Sequence, residues 1–321
     1  MFFKNIMKWL IMITIMITFS SNSWYVYWLM MEMNLLMFIP IMNNKKKSNS
    51  NSMIIYFVTQ AFSSSMFFLS ALNLFFLGPV FFKIFMMIAL MIKLAMIPFH
   101  FWMTSLSEMI DHSSLFFMLT FQKFIPLFIL TYMKFQSIII FAAISSIFAS
   151  LFALNSKLLK KILIFSSISH QGWVISLIAM KSNFWITYML TYSLLIFKIL
   201  KISNEYKTSS IHNFFFSHLN PMNKVSLTMM MMSLGGMPPF LGFFIKLISI
   251  IILINSKNLV AIILILSSMI NIFFYIQIIT PNFIKNSFNM KNLIFLKFNK
   301  KNMLINLNLL ITIFILNLTI L

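Results

Sequence analysis

Leu234-Gly235-Gly236-Met237-Pro238-Pro239-Phe240-Leu241-Gly242-Phe243-Phe244-Ile245-Lys246 lies near the centre of an apolar segment that runs from 223 to 255. A helix that crosses a bilayer needs about 20 residues, so the segment is too long for one straight span and too short for two. Its paired prolines remove two backbone donors, and the helix must break there. At membrane depth a broken helix persists only where protein or a wet cavity satisfies the freed backbone groups. Lys246 then falls about two turns into the second half-helix, beside those groups. Pro98 interrupts the segment 80–106 in a similar way, although a single proline is as often a packing kink.

The composition surrounding that segment agrees with a lipid environment. The chain has 321 residues, of which 61% are hydrophobic and 9% charged, too few polar groups to cover a water-soluble globule. Zero cysteines exclude disulfides, thiolate zinc sites and iron–sulfur ligation by this chain. The net charge of +20 would suggest nucleic acid in a soluble protein. Here the basic residues are all lysines, and they cluster in short gaps between apolar runs, as cationic loops flank membrane spans. No nucleic-acid partner is expected. The wealth of Phe (40) and Met (30), with no arginine, looks like the product of an A/T-rich gene, as in a mitochondrion.

Walking the chain with a ruler of about 20 residues gives about eleven transmembrane helices. They cover approximately 3–20, 22–42, 53–73, 80–106, 113–133, 136–154, 160–180, 183–201, 223–255, 258–279 and 303–321. The expectation is an all-α membrane protein forming a single polytopic domain, 1–321. Lysines test the count, because a wrong number of spans would scramble their distribution. Lys4, Lys45, Lys46, Lys47, Lys157, Lys160, Lys161, Lys201, Lys207, Lys224, Lys285, Lys291, Lys297, Lys300 and Lys301 fall on one side. Lys83, Lys134, Lys181 and Lys257 fall on the other. The lysine-rich side reads as cytoplasm or matrix, with the N-terminus inside and the C-terminus outside.

Five ionisable side chains remain near span centres: Glu32, Lys93, Lys123, His170 and Lys246. A charge at the bilayer centre costs roughly 3 kcal/mol on insertion scales, so these groups should face the protein interior and partner one another or water. Each has a plainer reading. Lysines near helix ends, such as Lys83, Lys134 and Lys198, snorkel to the headgroups. A lone buried histidine such as His170 is commonly a packing residue, and Glu32 could be a fixed ion-pair partner. The functional reading is a row of groups that alternate between charged and neutral forms, bridged by water and by hydroxyls such as Thr120, Ser166, Ser167 and Ser169. No phosphate loop, nucleophile constellation or zinc helix competes with it. His212 and His218 lack acidic or cysteine neighbours. A haem held between His100 and His170 stays open, though glycine is too scarce to make its pocket attractive.

The same residues carry a family resemblance that spans nearly the whole chain. Glu32-Met33-Asn34-Leu35-Leu36 through Phe38-Ile39-Pro40 resembles an E-M-N-x-L-x-F-I-P stretch. Lys93-Leu94 with Pro98-Phe99-His100-Phe101-Trp102 resembles K-L/S-x-x-x-P-F-H-F-W, and Gln122-Lys123 with Pro126 resembles W-Q-K-x-x-P. Ser166-Ser167-Ile168-Ser169-His170-Gln171-Gly172-Trp173 is similar to S-S-I-x-H-x-G-W, and the opening stretch is similar to G-G-x-P-P-x-x-G-F-x-x-K. These are motifs of the subunit 2 family of NADH dehydrogenase, the smallest of the antiporter-like membrane subunits of mitochondrial respiratory complex I. The chain departs at Ala95, where glycine is common, at Phe121, where tryptophan is usual, and at Met103-Thr104-Ser105-Leu106, which lacks the usual x-P-E-V.

The resemblance implies an antiporter-like bundle with discontinuous helices near Pro98 and Pro238/Pro239, in a multi-pass inner-membrane protein. It implies a proton-translocating subunit of NADH:ubiquinone oxidoreductase, with Glu32 and Lys93 as a switching pair, Lys123 and His170 as relays, and Lys246 on the broken helix. It implies no cofactor in this chain. NADH, FMN, iron–sulfur clusters and ubiquinone would be handled by partner subunits, and other membrane-arm subunits and the lipid bilayer would be its partners. The same architecture serves multi-subunit cation/proton antiporters, the alternative reading. A membrane scaffold whose buried charges only fix helix register is a third.

Overall fold

The computed structural model describes residues 2–43, 48–73, 79–133, 138–205, 221–238, 240–255 and 260–288. Every regular element among them is an α-helix. In chain order these are α1 (Phe2–Ser20), α2 (Trp24–Met42), α3 (Ser48–Asn73), α4 (Pro79–Lys93), α5 (Phe101–Met109), α6 (His112–Leu119) and α7 (Phe121–Tyr132). They continue with α8 (Ile138–Leu154), α9 (Leu159–Ala179), α10 (Phe184–Glu205), α11 (Pro221–Gly235), α12 (Leu241–Asn255) and α13 (Val260–Phe288). Ten of the expected spans coincide with these helices, while 303–321 lies outside the described residues, as do most of the lysine-rich connectors 43–52, 202–222 and 280–302. Seven helical stretches among the described residues are long and apolar enough to cross a membrane, and Ile138–Leu154, Ser226–Gly235 and Leu241–Ile254 are shorter apolar helices.

Helix α9 is the axis of the bundle. It packs against α5, α7, α8, α10, α12 and α13, and its residues are buried without interruption from Ile162 to Ile178. Because lipid is as apolar as leucine, close approach rather than hydrophobicity holds such helices together, and small residues permit it. Gly172 shows this directly: a Cβ there would lie 2.7 Å from Ser146 Cβ and 2.9 Å from Ala142 O. The facing side of α8 buries Ala142, Ala143, Ser146, Ala149, Ser150 and Ala153. Around this centre α1, α2, α3 and α4 pack as successive neighbours. Their outward faces expose Trp9, Met16, Phe57, Val58, Phe62 and Phe81, an apolar surface suited to lipid.

The break at 236–240 is where the paired prolines place it. Helix α11 ends in a glycine cap: Gly236 takes φ +87°, its N–H reaches Ser233 O at 3.1 Å, and Met237 N–H reaches Met232 O at 3.2 Å. That left-handed cap satisfies carbonyls that a helix end leaves unpaired. Helix α4 ends with the same device. Ala95 stands at φ 55°, with Ala95 N–H on Ile92 O at 3.1 Å and Met96 N–H on Met91 O at 3.0 Å. Trp102 Nε1 adds a bond to Ile92 O at 3.0 Å. The interruption around Pro98 is therefore a true break that begins at Lys93, and the peptide before Pro98 is cis.

One expected span, 113–133, coincides with a single membrane-length stretch, His112–Tyr132, but is kinked. Residues 113–133 do not form a continuous helix, because the chain turns at Thr120, with φ −119° and ψ −81°. Pro126, one turn and a half further on, removes a donor from the ladder of this segment. Lys123 consequently sits in the first turn of α7 rather than deep within one long helix.

Side-chain contacts order the ends of the bundle. Lys4 Nζ donates to Asn43 O at 2.6 Å and Ile41 O at 3.2 Å. Lys160 Nζ donates to Ile110 O, and Lys161 pairs with Glu108 at 2.5 Å. Tyr132 Oη reaches Asn22 Oδ1 at 3.3 Å. The N-terminus thus shares an end with the α2–α3 connection, and the start of α9 shares one with the end of α5.

Candidate proton-transfer row

Five helices and two breaks bring the titratable side chains into one buried row. Lys93, Lys123, His170 and Lys246 are buried, and Glu32 is half-buried. At one end Ser64 Oγ on α3 contacts Glu32 Oε1. One turn earlier on α3, Gln60 O accepts from Lys93 Nζ at 3.4 Å. Glu32 and Lys93 influence each other electrostatically but share no hydrogen bond, because each is held by a different residue of the same α3 turn. Asn34, on the Glu32 helix, accepts from Gln122 Nε2 at 3.0 Å, and Gln122 Oε1 accepts from Tyr56 Oη at 3.1 Å.

The middle of the row is built on α9. Lys123 Nζ donates to Ser167 Oγ at 3.0 Å. With the Gln171 amide turned to satisfy both neighbours, its oxygen accepts from Lys123 Nζ at 3.0 Å and its nitrogen donates to Leu94 O at 3.0 Å. Gln171 therefore joins Lys123 to the α4 break that begins at Lys93. His170, the preceding residue of α9, contacts Tyr188 Oη through Nδ1 at 2.8 Å. The ring also faces the Leu234 backbone, and both Lys123 and Lys246 lie within electrostatic range of it. A cavity of about 10 Å³, lined in part by His170, Tyr188, Tyr192, Ser233, Leu234 and Gly242, adjoins this ring. That is room for about one water.

Lys246 closes the row across the second break. Its amine donates to Gly235 O at 2.7 Å and reaches Leu234 O at 3.5 Å. These are last-turn carbonyls of α11, which the helix leaves unpaired and at which its dipole places partial negative charge. Gly236 admits the lysine stem, since a Cβ there would lie 3.0 Å from Lys246 Cδ and Nζ. Gly242 lets α12 begin against α11, since a Cβ there would fall 1.7 Å from Ser233 O.

Several expected partners are placed differently. Thr120 Oγ1 donates to Phe116 O at 2.7 Å, so it serves the kink and not Lys123. Ser166 donates to Leu163 O at 3.0 Å, and Ser169 Oγ accepts from Asn271 Nδ2 at 2.9 Å. His100 stacks on Phe152 with centroids 5.5 Å apart, while His170 is engaged by Tyr188. Lys83 is exposed on the first turns of α4 and Lys198 is half-buried, whereas Lys134, His212 and His218 lie outside the described residues. Ser64, Gln60, Gln171 and Tyr188 were not singled out from the sequence as partners of the row. Their signal was helical register with the charged residues, visible only once the neighbouring helix is known.

Comparison with known proteins places the chain in a family. Residues 77–271 match the family model described as NADH:quinone oxidoreductase/Mrp antiporter, TM. The NADH-ubiquinone oxidoreductase chain 2 of Rhipicephalus sanguineus is 44% identical over 315 residues, covering 97% of this chain and 99% of that protein. Two solved structures share the fold. One is respiratory complex I from Thermus thermophilus with bound aureothin, with a TM-score of 0.80 at 19% identity over 88% of this chain and 71% of the other. The second is the Mrp complex from Dietzia sp. DQ12-45-1b, with a TM-score of 0.74 at 15% identity over 84% and 59%. By its 44% identity over nearly its whole length and by the matched family model, the chain belongs to the NADH-ubiquinone oxidoreductase chain 2 family of antiporter-like membrane proteins.

Proposed function

We propose that this chain is a proton-translocating membrane subunit of NADH:ubiquinone oxidoreductase, and that Glu32, Lys93, Lys123, His170 and Lys246 carry the protons. The observation that carries this reading is the buried row along α9, linked by Ser64, Gln60, Gln171 and Ser167 and bounded by two broken helices. Burying three lysines and a histidine is costly for structure alone. Groups that exchange protons must be shielded from lipid yet joined to one another, which the row provides. Redox driving force comes from elsewhere in the complex: NADH, FMN, iron–sulfur clusters and ubiquinone belong to partner subunits, and this chain has no cysteine for a cluster. Its partners are other membrane-arm subunits and the lipid of the mitochondrial inner membrane. The lysine-rich end, including the N-terminus, faces the matrix, and the C-terminus faces the intermembrane space.

The test uses the assembled complex in sealed vesicles. Replacing Lys123 by Met should leave NADH oxidation by added artificial acceptors intact while NADH-driven proton uptake falls at least tenfold. Uptake at the wild-type rate would refute the role of the row. The family model also names an antiporter, and that alternative predicts copurification with ion-gradient partners instead of a flavin and iron–sulfur assembly.

A further inference from the structure

Ser64 and Ser167 share an arrangement that packing does not require. Each lies within a helix with its hydroxyl near the carbonyl three residues earlier, Ser64 Oγ at 2.9 Å from Ala61 O and Ser167 Oγ at 2.6 Å from Ile164 O. Each also touches a titratable group on another helix, Ser64 meeting Glu32 Oε1 and Ser167 meeting Lys123 Nζ at 3.0 Å. Three other buried serines have the first bond and no contact of the second kind among the described residues. Ser63, Ser70 and Ser176 bond Gln60 O, Phe67 O and Trp173 O at 2.7–2.8 Å.

A hydroxyl has one proton and two lone pairs, so it cannot donate to two acceptors at once. At Ser64 the competing acceptors are the Glu32 carboxylate and the Ala61 carbonyl. When Glu32 is ionised, the hydroxyl donates to the carboxylate, the stronger acceptor. When Glu32 is protonated, its own O–H donates to Ser64 Oγ, and the serine proton rotates about the Cβ–Oγ bond to Ala61 O. No heavy atom has to move, and neither partner is left with an unpaired donor. Ser167 works with the opposite polarity. As an ammonium, Lys123 donates an N–H to Ser167 Oγ, whose proton rests on Ile164 O. As a neutral amine, Lys123 offers a lone pair that accepts the Ser167 O–H, and a remaining N–H still reaches the Gln171 oxygen. In both cases the serine keeps its own proton.

We propose that Ser64 and Ser167 are positioning residues, hydroxyl rotors that reverse with the ionisation of Glu32 and Lys123 and keep both protonation states of each group hydrogen-bonded. The proposal rests on the reading of Glu32 and Lys123 as proton carriers. Burial makes the device necessary: in water either state finds new partners, whereas in the bundle a group that changes charge meets only the atoms already around it. An alanine at either site removes the serine partner from both states. A threonine retains the rotor, because its hydroxyl also bonds the preceding turn of a helix.

The test compares Ser64→Ala, Ser64→Thr, Ser167→Ala, Ser167→Thr and Glu32→Gln in the assembled complex in sealed vesicles. Proton uptake and infrared difference spectra are the readouts. Each alanine variant should assemble and pump roughly tenfold more slowly, the factor carried by one hydrogen bond to a charged group. Each threonine variant should pump near the wild-type rate. The carboxyl band of Glu32, identified by its disappearance in Glu32→Gln, should shift in Ser64→Ala and return in Ser64→Thr. Wild-type pumping in both alanine variants overturns the proposal, as does a loss without a band shift or a loss that threonine does not restore. If Ser64→Ala fails to assemble, Ser64→Cys, whose thiol is a weak donor of similar size, is expected to show the same slowing and shift, and their absence overturns the proposal. Normal pumping in Glu32→Gln overturns the underlying reading and the rotor with it, whereas an inactive Glu32→Gln beside a normal Ser64→Ala overturns the rotor alone.

Discussion

Gly236→Ala separates the two roles of the second break. Gly236 stands at φ +87°, and the left-handed region costs an alanine about 1–2 kcal/mol. Ala95 already occupies φ 55° at the other break, so the fold tolerates a penalty of that size. The added Cβ also lies 3.0 Å from Lys246 Cδ and Nζ and 3.3 Å from Cε. The end of a lysine is flexible and withdraws by a few tenths of an ångström, so the clash itself is cheap. Withdrawal, however, lengthens the 2.7 Å bond from Nζ to Gly235 O, and a hydrogen bond to a charged group is worth about 1.5–3 kcal/mol. The expected outcome is an assembled complex with a modestly shorter half-life at raised temperature and a proton-pumping rate reduced at least tenfold. Thermal inactivation and NADH-driven uptake in sealed vesicles measure the two effects separately. Wild-type pumping by an assembled Gly236→Ala complex would refute the claim that the position of the amine against α11 matters.

The remaining expectations follow from the same geometry. Gly242→Ala places a methyl 1.7 Å from a backbone oxygen, which no side-chain movement relieves; the cost should be about 3 kcal/mol or more, read as loss of assembled complex on native gels. Lys246→Met should assemble but pump poorly, and Lys246→Arg should also fail, because a larger permanent cation meets Gly236 and stays protonated; normal coupled turnover in Lys246→Arg argues against a relay at this position. Glu32→Gln and Lys93→Met should be less than additive in pumping, since both groups are held by one α3 turn, whereas strict additivity separates them. Lys46 and Lys301 should label from the same face of intact vesicles, and labelling from opposite faces sinks the arrangement of eleven spans.

Much of this fold could be read from the sequence because the informative features are costly ones. Two adjacent prolines force a break wherever they fall in a span, and the lysine two turns beyond them lands on the carbonyls they expose. Lysines 93, 123 and 246 stand out because charge is rare in apolar runs. The kink at Thr120 did not stand out: Pro126 is a lone proline, and a lone proline leaves the site and sharpness of a bend to its neighbours. The uncharged members of the row were also hidden. Serine is common throughout this chain, and nothing local separates Ser64 from Ser63 until α2 is placed beside α3. Tyr188 counts as an apolar aromatic in any hydropathy pattern, yet its hydroxyl holds His170. The family resemblance implied a pairing of Glu32 with Lys93, but not the turn of α3 whose different residues hold each of them.

The two breaks also explain how the bilayer tolerates these particular lysines. Lys93 is the last residue of α4, and the Lys246 amine rests on the last-turn carbonyls of α11. Both therefore sit at helix C-termini, where the backbone dipole favours a cation. Such ends normally lie at the membrane surface, and only a break brings them to bilayer depth. Lys123 has the opposite placement. It lies in the first turn of α7, where the dipole disfavours a cation, and its hydrogen-bond partners are the side-chain oxygens of Ser167 and Gln171 on α9. Its support can thus be removed without touching any helix end, and α9 is buried along its length, so water does not readily replace those oxygens. On the proposed role of the row, a charge moving along it passes between two sites steadied by fixed backbone and one steadied by side chains proposed to rotate. That site adjoins His170, so the proposal concentrates adjustment of the row at Ser167, His170 and Gln171, three residues within five positions of one helix.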